Sequence, residues 1–198
     1  MHATPQNPVE AMVRRQWHYA VGCFALGVAF LAVFAMVGHA RLQGWLGLLP
    51  VGSGLCLLAF AVHEFRDVQR RTHGMRVETR AIADAAKILP AYGIGMTPNV
   101  RVRGRGDIDM VVGAGTHHMP VEIKSYESWE MQDRERRLAT LEQVARAQRY
   151  LRARRGYVWL PEAKAGMWRR WRGLREGDVT VVFGSARHLA RIIRRQEG

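Results

Sequence analysis

The sequence predicts an α/β domain with the element order αβββαβ, preceded by two transmembrane helices. Two observations lead to this fold class. The first third of the chain contains two long apolar runs without formal charge, at residues 19–38 and 42–62. The later part contains short runs in which apolar and polar residues alternate, GDIDMVV and VEIKSY, between segments of helical periodicity. At 198 residues the chain has room for one core of ordinary size.

Each apolar run is long enough to cross ~30 Å of hydrocarbon as a helix, and only the turn HAR separates the two. We therefore expect a transmembrane hairpin of helices 19–38 and 42–62, between a short N-terminal segment 1–18 and a juxtamembrane connector 63–74. Arginines precede the first run and follow the second, which predicts that both termini are cytoplasmic. The expected location is the inner membrane of a bacterium, as a multi-pass protein. The flanking arginines are Arg14, Arg15, Arg66, Arg70 and Arg71.

Two other interpretations of the apolar runs stay open. The runs are also compatible with a buried helical hairpin in a soluble protein. Alternatively, Gly38-His39-Ala40 has the small-x-small pattern of a signal-peptide cleavage site, although the apolar stretch is longer than a typical signal core. The domain of residues 75–198 would be cytoplasmic with the hairpin or with the signal peptide.

In the second part of the chain, periodicity predicts the elements one after another. A helix at 75–89 ends at Pro90 and Gly93. Strands at 99–103, 107–112 and 120–124 follow, then a long helix at 133–153 and a strand at 157–160. A further strand at 179–183 and a helix at 185–195 are expected to extend the sheet and cover it.

The two alternating runs have one apolar face and one charged face each. In the first run, alternation places Asp107 and Asp109 on one face and Ile108, Met110 and Val112 on the other. In the second run, VEIK, alternation likewise places the acidic and the basic residue on one face and the two apolar residues on the other. Each strand therefore has one side for a core and one side left for chemistry.

A hairpin between these runs would bring two carboxylates together. If Val112 pairs with Met119, then Asp109 lies opposite Glu122, with Cβ atoms ~5 Å apart. Such a pair repels unless a cation lies between the carboxylates, and Mg²⁺ is commonly held by one or two carboxylates. Lys124 would lie beside them, where it either stabilises charge on a phosphate or, with a lowered pKa, helps to deprotonate the attacking water.

This segment resembles the PD-(D/E)xK nuclease superfamily, with GDID supplying the first Asp and EIK the (D/E)xK element, and with Ile108 in place of the proline. IDMVV and VEIKSY are similar to the nuclease-related domain (NERD) branch and to small resolvase-like proteins. The resemblance covers residues 75–160 and implies a restriction-endonuclease-like fold and a Mg²⁺- or Mn²⁺-dependent endonuclease. It also implies Asp109, Glu122 and the backbone carbonyl of Ile123 as metal ligands, and Asp109, Glu122 and Lys124 as catalytic residues.

Two further site residues follow from the resemblance. In the superfamily the helix before the sheet often supplies an acidic residue, and Glu78 fits that position; the alternative is that Glu78 only stabilises a helix N-terminus. NERD-like domains carry a Gln in the long helix. QVARAQRYL aligns better on Gln143, whereas the helical wheel places Gln148 in the apolar arc, so both residues stay candidates.

The second part of the chain is strongly basic. Residues 64–198 carry 27 basic and 16 acidic side chains, a difference of +11, which suits a polyanion such as nucleic acid or anionic lipid. Arg101, Arg103 and Arg105 alternate along the strand that enters the site, and we expect them to contact a phosphate backbone. MWRRWRGLR places Trp168 and Trp171 on one helical face. These tryptophans fit base stacking, docking on the inner leaflet, or a core under a solvated basic face.

The function expected from the sequence is a membrane-anchored nuclease acting on DNA at the cytoplasmic face. The alternative is a non-catalytic module of the same fold that binds nucleic acid or a partner in a membrane complex, as in plasmid transfer or phage defence. The expected partners are nucleic acid, the lipid bilayer, and a second copy or a membrane complex. The sequence contains no Walker loop, no nucleophile elbow and no paired CxxC, which argues against ATP-driven and acyl-transfer chemistry.

Overall fold

The structure, a computed structural model, describes residues 8–41, 48–102, 106–114, 117–130 and 132–197. The chain divides into two compact units, Met1–His73 and Gly74–Gly198. Both units share helix α2, which runs without interruption from Leu48 to Ile88. The separate helix that the sequence predicts at 75–89 is therefore the last part of α2, and the connector 63–74 is helical.

In the first unit, helix α1 (Pro8–Arg41) packs against the first part of α2. The two backbones come close where Gly27 meets Gly54, because a Cβ atom on Gly27 would lie 3.1 Å from the Gly54 carbonyl oxygen. Small residues are buried between the helices, and the large apolar side chains of α1 point outward. Among the described residues, one stretch, Ala11–Met36, is long and apolar enough to cross a membrane.

The second unit is an α/β domain with a six-stranded mixed sheet of order β1-β2-β3-β4-β6-β5. A 3₁₀ turn, Leu89–Tyr92, joins α2 to the sheet. The remaining elements are β1 (Gly95–Val102), β2 (Gly106–Ala114), β3 (His117–Ile123), α3 (Arg134–Leu151), β4 (Gly156–Leu160), α4 (Met167–Arg172), β5 (Leu174–Glu176), β6 (Val179–Phe183) and α5 (Ala186–Glu197).

The sheet changes from antiparallel to parallel at β3. Strands β1, β2 and β3 form an antiparallel meander, whereas β3, β4 and β6 are parallel and β5 closes the edge antiparallel to β6. Parallel neighbours need a crossover connection, and α3 supplies it between β3 and β4. The order of the predicted elements is confirmed, whereas β5, a strand of three residues, is absent from the prediction.

Two apolar cores lie on the two faces of this sheet. One contains the last turns of α2 and the inner side of α5, with Leu89, Met110 and Leu189 fully buried. The other lies under α3 and contains Trp129 and Val144. The side chains of the sheet therefore pack either with α2 and α5 on one face or with α3 on the other.

Strand β2 does not alternate regularly, which corrects the predicted face of Ile108. Met110 and Val112 lie in the core next to α2 and α5, but Ile108 packs with Val102 and Val111 on the α3 side. The pairing of β1 with β2 skips the step at Asn99, where φ is 52°, a left-handed conformation that Asn tolerates better than most residues. The skipped step lies between Met110 and Ile108, the two residues that pack on opposite sides of the sheet.

Candidate active site

The hairpin of β2 and β3 has the register that the sequence predicts. Val112 pairs with Met119 and Met110 with Val121, where the ladder ends. Beyond this last pair, the Asp109 carboxyl group interacts with that of Glu122. Its Oδ2 accepts a hydrogen bond of 2.7 Å from the backbone N–H of Ile123. Asp109 is thus fixed by the strand that carries Glu122.

Glu122 and Lys124 share one face, as alternation predicts. The Lys124 Nζ lies 2.6 Å from Glu122 Oε1 and donates a hydrogen bond to it. The Glu122 side chain is 5% exposed and that of Lys124 26% exposed. We call Asp109, Glu122 and Lys124 the carboxylate cluster. It combines two facing carboxyl groups with one ammonium group at the end of a strand pair.

Burial raises the pKa of both carboxyl groups. For Glu122, burial and the neighbouring Asp109 raise the pKa to about 7, although Lys124 acts in the opposite direction. For Asp109, burial also raises the pKa, and the hydrogen bond from the Ile123 N–H and the charge of Lys124 partly oppose that rise. Two desolvated carboxyl groups side by side favour the uptake of a cation, either a proton or a metal ion.

Lys124 stays a cation in this environment. Burial lowers the pKa of its ammonium, but Glu122, with further contributions from Asp109 and Tyr126, raises the pKa above the ordinary value. A raised pKa suits a group that stabilises negative charge. It does not suit a group that must lose its proton to act as a base.

Glu78 faces the cluster from α2. Burial raises its pKa first, Asp109 raises it further, and Lys124 lowers it, so Glu78 lies within electrostatic reach of both. The alternative that Glu78 stabilises a helix N-terminus is wrong, because α2 begins at Leu48 and Glu78 lies about eight turns into the helix.

The structure separates the two glutamine candidates. Gln143 is half-buried and lines a cavity beside the cluster together with Asp107 and Glu122. Gln148 is buried, and its Nε2 donates a hydrogen bond to the Asp178 carbonyl oxygen. The burial predicted for Gln148 from the helical wheel is confirmed, and Gln143 is the glutamine that the structure brings to the site.

Helix α3 can approach the sheet this closely because β4 begins with glycine. A Cβ atom at Gly156 would lie 2.5 Å from Val144 Cγ1 and 3.0 Å from Gln148 Cγ, which is too close for any other residue. The close contact holds α3 against the sheet. It thereby positions Gln143 beside Glu122.

The same cavity is lined by two side chains that the sequence analysis missed. Arg146 and Tyr150 lie one turn and two turns beyond Gln143 on α3. The signal was the spacing of three and seven residues from Gln143, which places all three side chains on one helical face. Arg146 brings a fixed positive charge to a cavity whose other polar residues include Asp107 and Glu122.

Of the three arginines predicted to contact nucleic acid, the structure describes one. Arg101 is exposed on β1 and pairs with Asp107 in the sheet register, next to the cavity. Arg103 and Arg105 lie outside the described residues. Their predicted contact with a phosphate backbone stays a prediction.

The metal expected from the resemblance requires a small set of ligands. Among the described residues there is no group of three or more His, Cys, Asp or Glu side chains arranged to hold a metal ion. Asp109 and Glu122 supply two oxygen ligands, and Mg²⁺ commonly takes one or two carboxylates and keeps several waters. The buried Glu122 and the partly buried Asp109 therefore supply oxygen donors of the kind that a hard divalent ion binds.

Comparison of this chain with models of protein families, with curated proteins and with solved structures finds no match.

Proposed function

We propose that this chain is a membrane-anchored, metal-dependent nuclease that hydrolyses phosphodiester bonds of nucleic acid, with DNA as the expected substrate. The observation that carries the proposal is the carboxylate cluster: Asp109 bonded to the Ile123 N–H, opposite Glu122, with the Lys124 ammonium 2.6 Å from Glu122. The restriction-endonuclease-like fold is part of this proposal. Its support is the αβββαβ element order and the mixed sheet in which β2 and β3 carry the cluster.

Each side chain has a role that its position favours. Asp109, Glu122 and the Ile123 carbonyl would hold Mg²⁺ or Mn²⁺, which supplies charge stabilisation for the phosphate and a more acidic bound water. Lys124 donates hydrogen bonds to phosphate oxygens on which negative charge develops. Gln143 orients polar groups in the cavity that it lines, and Glu78 acts electrostatically on Asp109 and Lys124.

The membrane anchor is proposed from the first unit. Helix α1 exposes large apolar side chains over the length of Ala11–Met36 and packs on α2 through Gly27 and Gly54, as small-residue contacts allow in membranes. We propose a two-helix hairpin with both termini in the cytoplasm of a bacterium, because arginines flank its two ends. Reporter fusions at the N-terminus and at Gly198 should both show cytoplasmic activity only; periplasmic activity at either end would contradict this orientation.

A cleavage assay tests the enzyme assignment. The full-length chain in detergent micelles is incubated with supercoiled plasmid, linear duplex and single-stranded substrates, with Mg²⁺ or Mn²⁺ and, in parallel, with EDTA. We expect cleavage that depends on the divalent ion. Cleavage that is equal in EDTA would contradict the proposed metal-dependent chemistry.

The non-catalytic module is the second candidate, and one observation favours it. The Lys124 ammonium already neutralises the Glu122 carboxylate through a short contact, so a metal ion must compete with it. A chain that binds divalent ions and nucleic acid but cleaves none of the three substrates would establish this second function in place of the first.

A further inference from the structure

Helix α4 exposes tryptophans that the sequence left open as core residues. Trp168 is 63% exposed, Trp171 47% and Met167 88%, so the interpretation as a core under a basic face is wrong. Arg169, Arg170 and Arg172 belong to the same helix. We call these six residues the α4 surface. Exposed tryptophans cost solvation free energy, and they usually mark a binding site.

Arginine side chains fix both indole rings. The Arg172 guanidinium carbon lies 4.5 Å from the centroid of the Trp168 ring, and that of Arg195, from α5, lies 4.4 Å from the centroid of the Trp171 ring. Each ring thus has one face packed by a guanidinium and keeps much of its remaining surface in solvent. The two ring centroids are 6.1 Å apart. Such rings are held in place before a ligand arrives, which lowers the entropy cost of stacking on them.

We propose that the α4 surface binds single-stranded nucleic acid, with bases stacked on Trp168 and Trp171 and phosphates bound by the neighbouring arginines. Stacking on aromatic rings beside a positively charged groove is how proteins hold single strands without reading their sequence. The choice of nucleic acid as the ligand rests on the proposed nuclease function. The charge of the surface agrees with it, because α4 is half arginine and has no acidic residue of its own.

The α4 surface is connected to the carboxylate cluster by the segment that follows β3. This segment begins at Lys124, and its Glu127 carbonyl accepts a hydrogen bond from the Lys164 N–H just before α4. Glu130, further along, forms an ion pair with Arg169. Strands β3 and β4 are parallel, so the segment that follows β3 and the segment that leads from β4 to α4 leave the sheet at the same edge. We infer that one bound single strand of nucleic acid reaches both regions along this edge.

A bilayer surface is the competing ligand, and the structure favours it less. Membrane docking by a surface helix requires a broad apolar face, but α4 has six residues, of which only three are apolar. The ring planes are also tilted by 45° to each other and covered by guanidinium groups on one side. That arrangement leaves ring faces for stacking and little continuous apolar surface for insertion.

Binding measured without cleavage tests the proposal. Full-length chain in micelles is titrated in EDTA against a fluorescein-labelled oligothymidine of about 15 nucleotides and against a labelled duplex of equal length, with anisotropy as the readout. Trp168→Ala and Trp171→Ala should each weaken single-strand binding about tenfold. Both should change duplex binding less than about twofold, and Trp168→Phe, which keeps a ring, should restore most of the single-strand affinity.

Met167→Ala is the matched control, because Met167 is the most exposed apolar residue of α4 and has no ring. It should leave single-strand binding unchanged. Equal single-strand affinity for wild type and both alanine variants would overturn the proposal, as would an equal loss on duplex. A loss in Met167→Ala as large as in Trp168→Ala would instead indicate apolar docking. Because EDTA prevents metal-dependent cleavage, failure of the nuclease assignment would appear only in the cleavage assay.

Discussion

The carboxylate cluster and the α4 surface are both charged, but one is buried and the other is solvated. In the cluster three ionisable groups share a desolvated space, so each shifts the pKa of the others. On α4 the three arginine side chains are exposed, so their charges lie in solvent. The comparison indicates that burial distinguishes the two kinds of site. A few buried charges that shift each other's pKa suit catalysis, whereas many exposed and independent charges suit the binding of a polyanion.

The largest expected effect concerns Glu122. Glu122→Gln replaces an ionised oxygen ligand by an amide of nearly the same shape, so it should remove metal-dependent cleavage to the detection limit and abolish calorimetric Mn²⁺ binding. Single-strand binding in EDTA should stay within about twofold of wild type, since α4 is untouched. Glu127→Gln, an exposed glutamate in the next segment, serves as the control. Loss of both cleavage and binding would show that the two regions are not separable.

Lys124 should show a smaller effect of a different kind. Lys124→Ala leaves both carboxylates in place, so Mn²⁺ binding should persist or strengthen once the competing ammonium is gone. The cleavage rate under single-turnover conditions should fall by about 10², the usual loss when one donor to the transition state is removed. Unchanged single-turnover cleavage would mean that Lys124 only neutralises Glu122.

The hairpin that carries the cluster was predictable, because residue alternation and a short turn determine its register. The pairing of Val112 with Met119, from which the sequence analysis inferred the approach of Asp109 to Glu122, is confirmed. The face of Ile108 was not predictable, since alternation is interrupted between Ile108 and Met110, at the step where the ladder with β1 skips Asn99. Alternation describes a regular ladder and contains no information about where a partner strand interrupts it.

The exposure of the α4 tryptophans was not predictable from the sequence, for a similar reason. Tryptophans three residues apart on a helix predict a shared face, which the structure confirms, but not what that face meets. The strand β5 follows α4 directly and covers the edge of β6, so α4 is left at the border of the sheet. A strand of three residues has too few positions for alternation to reveal it.

The burial of Glu122 should also appear in stability. The pKa of its carboxyl group is raised from 4.5 to about 7 in the folded state, so the stability linked to its protonation is present below pH 4.5 and is lost as the pH rises through about 7. In EDTA, the melting temperature of wild type should therefore fall as the pH rises from ~pH 5 to ~pH 7, and the contribution of Glu122 to this decline should level off at higher pH. Glu122→Gln should flatten this decline, whereas an equal decline in both proteins would contradict the assigned burial effect.

The smallest expected effect concerns the solvated arginines. Arg170→Ala should weaken single-strand and duplex binding alike, by a few-fold, and reduce the slope of log affinity against log salt by about 0.7 to 0.9. The anisotropy titrations, repeated over a range of salt concentrations, measure that slope. The cleavage rate of bound substrate should not change. An unchanged salt dependence would show that Arg170 contacts no phosphate.

The most direct test of the central claim is cleavage of plasmid DNA by the full-length chain in Mg²⁺, compared with Asp109→Asn purified in the same way. The side chain of Asp109 is held in place by the hydrogen bond that it accepts from the Ile123 N–H. We predict that wild type cuts the plasmid and that Asp109→Asn, with an unchanged circular dichroism spectrum, does not. Full activity of Asp109→Asn would contradict the assignment of a nuclease site to the carboxylate cluster.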